Sequence, residues 1–440
     1  MPPNSYIWRM QSAGMEYLES RFMFGMVPGL DSTRKLCEVL GNPQKKFKTI
    51  HVVGTNGKGS TSYYLAGILQ AHGYKTGLFT SPHLVSLRER IRVDDVPIGE
   101  ADLERLILRV KAAASETSLE PTFFEVLTLV SFLYYAEQNV DVVSMEAGMG
   151  GRLDSTAVAC GDIAIVTGIG LEHTEVLGAT EEAILKEKMA VVEAGGPDGK
   201  SFIVGGLSEK LLAEAHAFAA SHHAECIVPK IRDDIELLNL GHHYIENASL
   251  SLAAAERFMA RDGRHAYSDA LARETLKTRS WAGRMQKLTD ESGKVRVILD
   301  GAHNSHAVRR LVEALGTYYP GQKFHCLFGA LKDKDVGEML KLMAPYVSHW
   351  HITKTPYPRF RELEDLQAEL RNAGLVTASA GELSREYLEA VMESAVVDSS
   401  TPLLITGSLY MIGAAIQLLR DRLGGLEFFR GLEPSSNEHR

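Results

Sequence analysis

The chain has 440 residues, of which 45% are hydrophobic, and its net charge is −9 at pH 7. A chain of this length can bury more than one hydrophobic core, which predicts two domains. The acidic balance offers no basic stripe for nucleic acid, and the lack of an apolar run of about 20 residues predicts that no segment spans a membrane. The first residues lack signal-peptide features and the four cysteines lack metal-type spacing, so we expect a protein of the reducing cytoplasm.

The first predicted strand, residues 49–53, runs into a loop with the sequence Gly54-Thr55-Asn56-Gly57-Lys58-Gly59-Ser60. A helix is predicted over 59–72, so backbone N–H groups and the positive end of the helix dipole point at one place. Lys58 adds a positive charge there, and the Ser60 hydroxyl can bind a magnesium ion. The common spacing G-x-x-x-x-G-K-S/T is not kept, because Gly59 separates Lys58 from Ser60. The pattern indicates a phosphate-binding loop, and a glycine-rich turn with a solvated lysine is the alternative.

Short apolar runs alternate with helical patterns through the rest of the chain, which is typical of an α/β fold with a doubly wound, mostly parallel sheet. Further strands are predicted at 76–79, 140–145 and 163–168, with helices at 124–137 and 180–194. The pattern restarts after Trp281-Ala-Gly-Arg284, with strands at 295–299, 324–328, 350–353 and 403–406 and helices at 305–315 and 338–343. We therefore predict a P-loop-type domain over 1–285, a smaller Rossmann-like α/β domain over 286–430 and a frayed tail over 431–440.

Three predicted strands of the first domain are followed by polar side chains, at the sheet edge where α/β folds bind ligands. These side chains are Ser81, Glu146 and His173. A hydroxyl, a carboxylate and an imidazole beside a nucleotide phosphate predict a second magnesium site, with His173 the least typical ligand. Taken singly, Ser81 could be a turn residue and His173 a hydrogen-bonded loop histidine.

The second domain repeats this arrangement after its first strand. Asp300 and His303 follow residues 295–299 and could face a cleft between the domains. A tight turn with Asn304 as a helix cap is the alternative. Gly407 and Ser408 after the strand 403–406 are a weaker instance of the same geometry.

These residues belong to a long series of ordered motifs between about residue 22 and residue 419. The motifs are 24–30, 41–44, 51–60, 79–83, 89–91, 124–125, 146–156, 173–180, 187–188, 247–248, 281–284, 300–304, 332–335 and 406–410. In this series the chain resembles the folylpolyglutamate synthase/dihydrofolate synthase family of the Mur ligase superfamily.

The resemblance implies an ATP-dependent ligase that adds L-glutamate to the carboxylate of a folate through an acyl phosphate, with release of ADP and phosphate. It leaves open whether dihydropteroate is a second acceptor. It also implies ATP and two Mg²⁺ ions as cofactors, small-molecule partners only, and a monomer.

The resemblance also implies roles for single residues. The phosphates would be held by Thr55, Asn56, Gly57, Lys58, Gly59 and Ser60, and the magnesium ligands would be Ser60, Ser81, Glu146 and His173. The catalytic group would be Lys58, Glu146, His173 and Lys188. Lys188 matches the family lysine that carbon dioxide converts to a carbamate, whereas its sequence pattern alone indicates a surface helix lysine. Asn247 would read adenine, Arg284 would clamp a phosphate, and Asp300 and His303 would contribute to nucleotide and glutamate.

Five residues depart from the family pattern, namely Ala157, Glu172, Tyr244, Gln286 and Ser305, of which Ser305 matters little. We expect Ala157 to remove an amide, Glu172 to disturb a contact near the metal, Tyr244 to stack on adenine and Gln286 to remove a charge. Two alternatives remain at this point. One is a Mur-type peptide ligase of cell-wall synthesis, although only about 50 residues precede the phosphate loop. The other is a P-loop NTPase switch that ligates nothing.

Overall fold

The structure is a computed structural model, and it describes residues 12–24, 29–195, 200–398, 402–420 and 423–424. The tail predicted over 431–440 and part of the motif 24–30 lie outside the described residues. None of the helices in these ranges combines the length and the apolar character that crossing a membrane requires.

Each predicted helix and strand is present, and further elements that were not predicted lie between them. The first part contains α1 (Ala13–Ser20), α2 (Asp31–Val39), β1 (Lys48–Val53), α3 (Lys58–Ala71), β2 (Thr76–Phe79), β3 (Ile91–Val93), β4 (Val96–Pro97), α4 (Glu100–Thr117), α5 (Phe123–Glu137), β5 (Val142–Glu146), β6 (Ile163–Val166), α6 (Thr174–Leu177), α7 (Glu181–Met189), β7 (Ser201–Val204), α8 (Glu209–Ser221), β8 (Glu225–Ile227), α9 (His242–Asp262) and α10 (Asp269–Lys277). The second part contains β9 (Gln286–Thr289), β10 (Val295–Asp300), α11 (Ser305–Tyr318), β11 (Phe324–Phe328), α12 (Val336–Met343), β12 (Val347–Lys354), α13 (Leu363–Asn372), β13 (Thr377–Glu382), α14 (Arg385–Asp398), β14 (Leu403–Thr406) and α15 (Leu409–Leu419). The helix predicted over 180–194 is shorter, because α7 ends at Met189 and a 3-10 helix, Ala190–Gly195, follows it.

The first sheet has the strand order β4-β3-β2-β5-β1-β6-β7-β8. In this spatial order the strands β2, β5, β1, β6, β7 and β8 are parallel to their neighbours in that series. At the other edge, β3 pairs antiparallel with β2 and forms an antiparallel hairpin with β4. β1 lies between β5 and β6, with Val52 opposite Glu146 and Val53 opposite Val166. The loops after these three strands therefore leave the sheet at the same edge, as the strand-end motifs predict.

Both faces of this sheet are covered by helices, because its parallel strands are apolar on both sides. Ile50 and Val52 pack with α3 and α9 on one face, and Val53 and Met145 pack with α5 on the other. The burial of β1 on both faces fixes the direction in which its carboxyl end presents the phosphate loop.

The second sheet has the order β13-β12-β11-β14-β10-β9, in which only the edge pair β9–β10 is antiparallel among the described strands. The helices α11, α12 and α13 cover one face, and α14 and α15 cover the other. The predicted fold class, two α/β sheets of mostly parallel strands, is confirmed.

The segment that joins the two sheets is anchored to the first one. Arg279 donates two hydrogen bonds, of 2.6 and 2.7 Å, to Asp95 in the turn between β3 and β4. Its guanidinium lies 3.9 Å from the centre of the Tyr63 ring. Asn239 binds both main-chain polar groups of Trp281, at 2.8 and 3.1 Å. Since β9 begins only after this anchored stretch, we keep residue 286 as the proposed start of the second domain.

His51, in the middle of β1, makes folding sensitive to acid. The residue is fully buried, its Nε2 accepts a 3.2 Å hydrogen bond from Gly161 N, and burial lowers the pKa of its imidazole to about 3. The unfolded chain binds a proton at this histidine below about pH 6.5, whereas the folded chain does not until the pH approaches its lowered pKa. The stabilising contribution is therefore complete above pH 6.5 and is lost progressively as the pH falls from there.

We expect His51→Asn to flatten the pH dependence of the free energy of unfolding between pH 6.5 and 4, by about 1.4 kcal/mol per pH unit. Denaturant unfolding at a series of pH values measures this slope. His216→Asn, on the exposed side of α8, should keep the wild-type slope. An unchanged slope for His51→Asn would contradict the prediction.

Candidate active site

The phosphate loop leaves β1 at Gly54 and enters α3 at Lys58. Gly54 has a φ of 146°, and a Cβ atom added there would lie 1.8 Å from Thr167 Oγ1. Gly57 caps α3 with a φ of 88°, in the left-handed region that favours glycine. α3 spans 14 residues, so the free N–H groups of its first turn and its dipole face this loop.

The loop is bound to the segment that follows β6. Thr55 N donates to Gly168 O at 2.8 Å, and Thr55 Oγ1 lies 3.0 Å from both Gly170 N and Gly170 O. Thr167 Oγ1 donates to Asn56 O at 2.7 Å. These bonds fix the loop to the segment after β6 at the sheet edge.

Two lysines donate to the same carbonyl oxygen of the loop. Lys58 Nζ lies 2.9 Å from Gly54 O and 3.1 Å from Thr55 O, and Lys188 Nζ lies 2.8 Å from Gly54 O. The Lys188 side chain is only 1% exposed. The alternative of a surface lysine on α7 is therefore wrong, because the Lys188 side chain is buried against the phosphate loop.

The surroundings of Lys188 favour its neutral form. Burial lowers the pKa of its ammonium group to about 8, and the nearby charge of Lys58 acts in the same direction. Glu172 opposes this, because its Oε1 lies 3.2 Å from Lys188 Nζ. Burial acts to raise the pKa of Glu172, but Lys58 and Lys188 outweigh it and leave that pKa below its usual value. Glu172 thus forms an ion pair with Lys188 beside the loop. Its departure from the family pattern predicted a disturbed contact near the metal instead.

Glu146 ends β5 and lies at the same edge. Its carboxylate is 3% exposed, and Oε2 accepts a 2.9 Å hydrogen bond from Ser81 N. Burial raises the pKa of Glu146 to about 7, although the charges of Lys58 and Arg284 act to lower it. The structure therefore brings Ser81, Glu146 and Lys58 together and leaves the carboxylate short of positive charge.

His173 stands at the start of α6 with a φ of 48°. Burial lowers the pKa of its imidazole, with Glu172 opposing and Lys334 of the second domain supporting that shift. In the described part of the chain, no group of three or more His, Cys, Asp and Glu side chains is arranged to hold a metal ion. Of the predicted ligands only Glu146 and His173 are of these types, so the set Ser60, Ser81, Glu146 and His173 stays a prediction, and magnesium held there would also need phosphate oxygens and water as ligands.

Asn247 on α9 also reaches the loop. Its Nδ2 donates to Ser60 Oγ at 2.9 Å, and Ser60 Oγ donates to Gly57 O at 3.1 Å. Its role in reading adenine stays a prediction. Tyr244, one turn earlier, is 2% exposed and lies in the core of the second domain, with its hydroxyl 3.5 Å from Asp300 Oδ2. The expectation that Tyr244 stacks on adenine is therefore wrong.

Asp300 and His303 follow β10 in a tight turn. Asp300 Oδ2 accepts from Met285 N at 2.9 Å, which ties the joining segment to the second sheet. His303 Nδ1 lies 2.8 Å from Gly301 O, and burial lowers the pKa of its imidazole to about 4. Asn304 caps α11, so the turn alternative describes the local structure correctly. The turn lies beside Arg284, since a Cβ atom added to Gly301 would lie 2.2 Å from Arg284 Nη1.

Two of the residues that depart from the family pattern, Gln286 and Ala157, have structural roles away from the reacting groups. Gln286 Oε1 accepts from Gly283 N at 2.8 Å and so supports the turn before Arg284. Ala157 is fully buried in the core beneath the first sheet.

A pocket opens between the two domains at this edge. Its lining consists of Gly59, Thr80, Ser81, Pro82, Leu84, Glu89, Glu146, Trp281, Ala282, Arg284 and Leu409. The pocket therefore joins the phosphate loop, two strand ends, the joining segment and the start of α15.

Three residues near the pocket or the phosphate loop received little or no weight in the sequence analysis, namely Trp281, His306 and Ser408. Ser408 Oγ, at the start of α15, is buried and has no hydrogen-bond partner in the part of the chain that the structure describes. A Cβ atom on Gly59 would lie 3.2 Å from Trp281 Nε1, and His306 Nδ1 lies 2.8 Å from Asn56 Nδ2. Ser408 follows a predicted strand, and this position could have marked it as a candidate site residue. Trp281 and His306 reach the loop through contacts between distant segments, which leave no local signal in the sequence.

The chain matches two family models, described as Mur ligase middle domain over residues 52–223 and as Mur ligase, glutamate ligase domain over residues 283–409. It is 33% identical over 421 residues to the dihydrofolate synthase/folylpolyglutamate synthase of Bacillus subtilis, which covers 90% of this chain and 96% of that protein. A structure of Mycobacterium tuberculosis folylpolyglutamate synthase complexed with ADP and AMPPCP superposes with a TM-score of 0.80 at 27% identity, covering 92% of this chain and 98% of that one. A bifunctional folylpolyglutamate synthase/dihydrofolate synthase with Mn, AMPPNP and L-glutamate bound gives a TM-score of 0.78 at 26% identity, with coverage of 93% and 98%.

Gly151 packs against the end of α7, and a Cβ atom added there would lie 2.4 Å from the carbonyl oxygen of Lys188. We expect Gly151→Ala to displace Lys188, to weaken ATP binding and to lower the free energy of unfolding by about 1–3 kcal/mol. Calorimetric titration and denaturant unfolding measure the two effects. Gly337→Ala on α12, where the nearest atom is 3.6 Å away, should leave ATP binding unchanged and should not lower the free energy of unfolding. Normal ATP binding together with normal stability in Gly151→Ala would contradict the prediction.

Proposed function

Because the chain belongs to the Mur ligase family, in the branch of the dihydrofolate synthases and folylpolyglutamate synthases, we infer that it is an ATP-dependent ligase that joins L-glutamate to the carboxylate of a folate. The observation that carries this proposal is that Lys58 and Lys188 donate to one carbonyl oxygen of the phosphate loop, while Glu146 lines a pocket together with Gly59 of that loop. Cationic and anionic groups are both needed there, since the reaction combines a triphosphate with two carboxylic acids.

The chemistry follows from the weakness of a carboxylate as an electrophile. A carboxylate oxygen of the folate attacks the γ-phosphorus of ATP, the bond to the bridging oxygen breaks, and ADP leaves. The amine of L-glutamate then attacks the acyl carbon and loses a proton, and phosphate leaves with the electrons of the C–O bond. Lys58 and the N–H groups at the start of α3 would stabilise the charge that collects on the phosphate oxygens.

The donor set fits divalent metal. Glu146 is buried and lacks full compensation of its charge, which a bound cation would supply. Ser60, Ser81, Glu146 and His173 would hold two magnesium ions, which when bound withdraw electron density from phosphate oxygens. Ser81 N donates to Glu146 Oε2, which supports Ser81 and Glu146 as neighbours in one such site.

We further propose that Lys188 is carbamylated. An amine must be neutral to attack carbon dioxide, and a pKa of about 8 leaves roughly half of the Lys188 amine neutral at pH 8. The N–C bond forms as one N–H proton is released, with Glu172 Oε1 at 3.2 Å as the nearest described base. The resulting anion would lie beside Lys58 and Gly54 and would replace one of two neighbouring positive charges by a negative one.

For the glutamate we propose the start of α15. Ser408 Oγ is buried without a described partner, and the next residue, Leu409, lines the pocket with Arg284. A hydroxyl, a guanidinium and a helix N-terminus together can bind a carboxylate. Closure of the second domain on this group would keep water from the acyl phosphate.

Both a folate and dihydropteroate are proposed acceptors, because the Bacillus subtilis relative is named for both activities. A monomer in the cytoplasm also stays a proposal. The four cysteines are free thiols, which supports a reducing compartment.

The test of the function is ADP release measured with ATP, L-glutamate and either a reduced folate or dihydropteroate, with product mass as the second readout. We expect release only when acceptor and glutamate are both present. ADP release from ATP alone would instead support the NTPase switch, and turnover with a nucleotide-sugar peptide acceptor would support the cell-wall ligase.

In the same assay Lys58→Ala should lower kcat by about 10²–10³-fold, because one preorganised cationic donor is lost. Its melting temperature should stay near the wild-type value, since Lys58 is only partly buried. Lys186→Ala, an exposed lysine on α7, is the matched control and should keep full activity. Full activity of Lys58→Ala would refute its assigned role.

Carbamylation of Lys188 predicts one additional carbamate carbon signal in the NMR spectrum of protein equilibrated with ¹³C-labelled bicarbonate at pH 8. Lys188→Ala should lack the signal and Lys186→Ala should retain it. A spectrum identical in all three proteins would refute the modification while leaving the ligase assignment intact.

A further inference from the structure

The phosphate loop is held by the second domain through one side chain. His306 lies in the first turn of α11, and its Nδ1 is 2.8 Å from Nδ2 of Asn56. In the described part of the chain, no other hydrogen bond joins residues 54–60 to the second domain.

The imidazole of His306 fits between two loops of the first domain. A Cβ atom added to Gly170 would lie 3.7 Å from His306 Cδ2 and 3.8 Å from Thr55 Cγ2. The side chain therefore lies next to Gly170, where the phosphate loop and the segment after β6 come together.

The main chain of Asn56 is already fixed from the other side. Thr167 Oγ1 donates to Asn56 O at 2.7 Å, and Asn56 and Gly168 form an isolated β-bridge. What remains to be oriented is the Asn56 amide, and His306 is the described group that binds it. With Asn56 Nδ2 as the donor, His306 Nδ1 carries no proton and acts as the acceptor.

We propose that His306 is a positioning residue of the nucleotide site, which orients Asn56 and thereby makes the affinity for ATP depend on the placement of the second domain. The proposal rests on the proposed function only in taking the phosphate loop as the ATP site. It assigns to α11 a contribution to nucleotide binding that requires no contact between α11 and the nucleotide.

The first test is calorimetric titration with a non-hydrolysable ATP analogue, without acceptor or glutamate. His306→Ala and Asn56→Ala should each weaken binding by about threefold to tenfold, the value of one hydrogen bond. The double variant should bind no more weakly than the weaker single variant, because both changes remove the same contact. His306→Asn places an acceptor near the position of Nδ1 and should restore most of the affinity.

The control is Arg309→Ala, an exposed neighbour on α11 that pairs with Glu338, and it should bind the analogue as the wild type does. In steady-state assays His306→Ala should raise KM for ATP while KM for glutamate and the melting temperature stay near wild-type values. A merely structural role would lower stability and change all parameters together.

Three outcomes would overturn the proposal: unchanged affinity in His306→Ala, tighter binding in that variant, or effects of the two single changes that multiply in the double variant. If wild-type protein fails to bind the analogue, the proposed function is at fault. If wild type binds and the variants bind equally well, only the role of His306 is lost.

Discussion

The site depends on the carbonyl oxygen of Gly54, which accepts hydrogen bonds from the ammonium groups of both Lys58 and Lys188. Two positive charges this close repel each other, and the burial of Lys188 removes the water that would screen them. Glu172 compensates in part. While Lys188 is an ammonium group, the loop carries positive charge at the point where a triphosphate brings negative charge, and either nucleotide binding or the proposed carbamylation of Lys188 would relieve this repulsion. The field of the α3 N-terminus has the same sign and adds to this effect.

Glu146, at the end of the neighbouring strand β5, presents the opposite imbalance of charge. It is a buried carboxylate whose pKa is raised by desolvation in spite of nearby cations. Folding therefore leaves a surplus of positive charge on one side of the pocket and an undercompensated carboxylate on the other. A nucleotide with its divalent cations would balance both. Such a site lowers the stability of the empty protein, which is the usual relation between stability and function at a binding site.

The parts of the fold and the site that could be predicted from the sequence are those with a local cause. The phosphate loop was recognisable because glycines, a lysine and a strand-to-helix change lie within a dozen residues. Ser81, Glu146 and His173 were recognisable because parallel strands end at a common edge. The hairpin of β3 and β4 was not predicted, since strands of two or three residues carry almost no periodicity. The burial of Lys188 and of Tyr244 was not predictable either, because each is decided by packing against a segment distant in the chain.

Three later segments of the chain pack against the phosphate loop. Asn247, Trp281 and His306 all approach it from later segments of the chain, at Ser60, Gly59 and Asn56 respectively. The extra residue between Lys58 and Ser60 must be small, because a Cβ atom on it would meet the indole ring of Trp281 at 3.2 Å. The loop and the joining segment therefore cannot rearrange independently. A ligand that prefers one loop conformation must also favour one placement of the second domain, by an amount equal to its difference in affinity for the two states. Coupling between nucleotide and domain placement is in this sense a consequence of how the loop is packed.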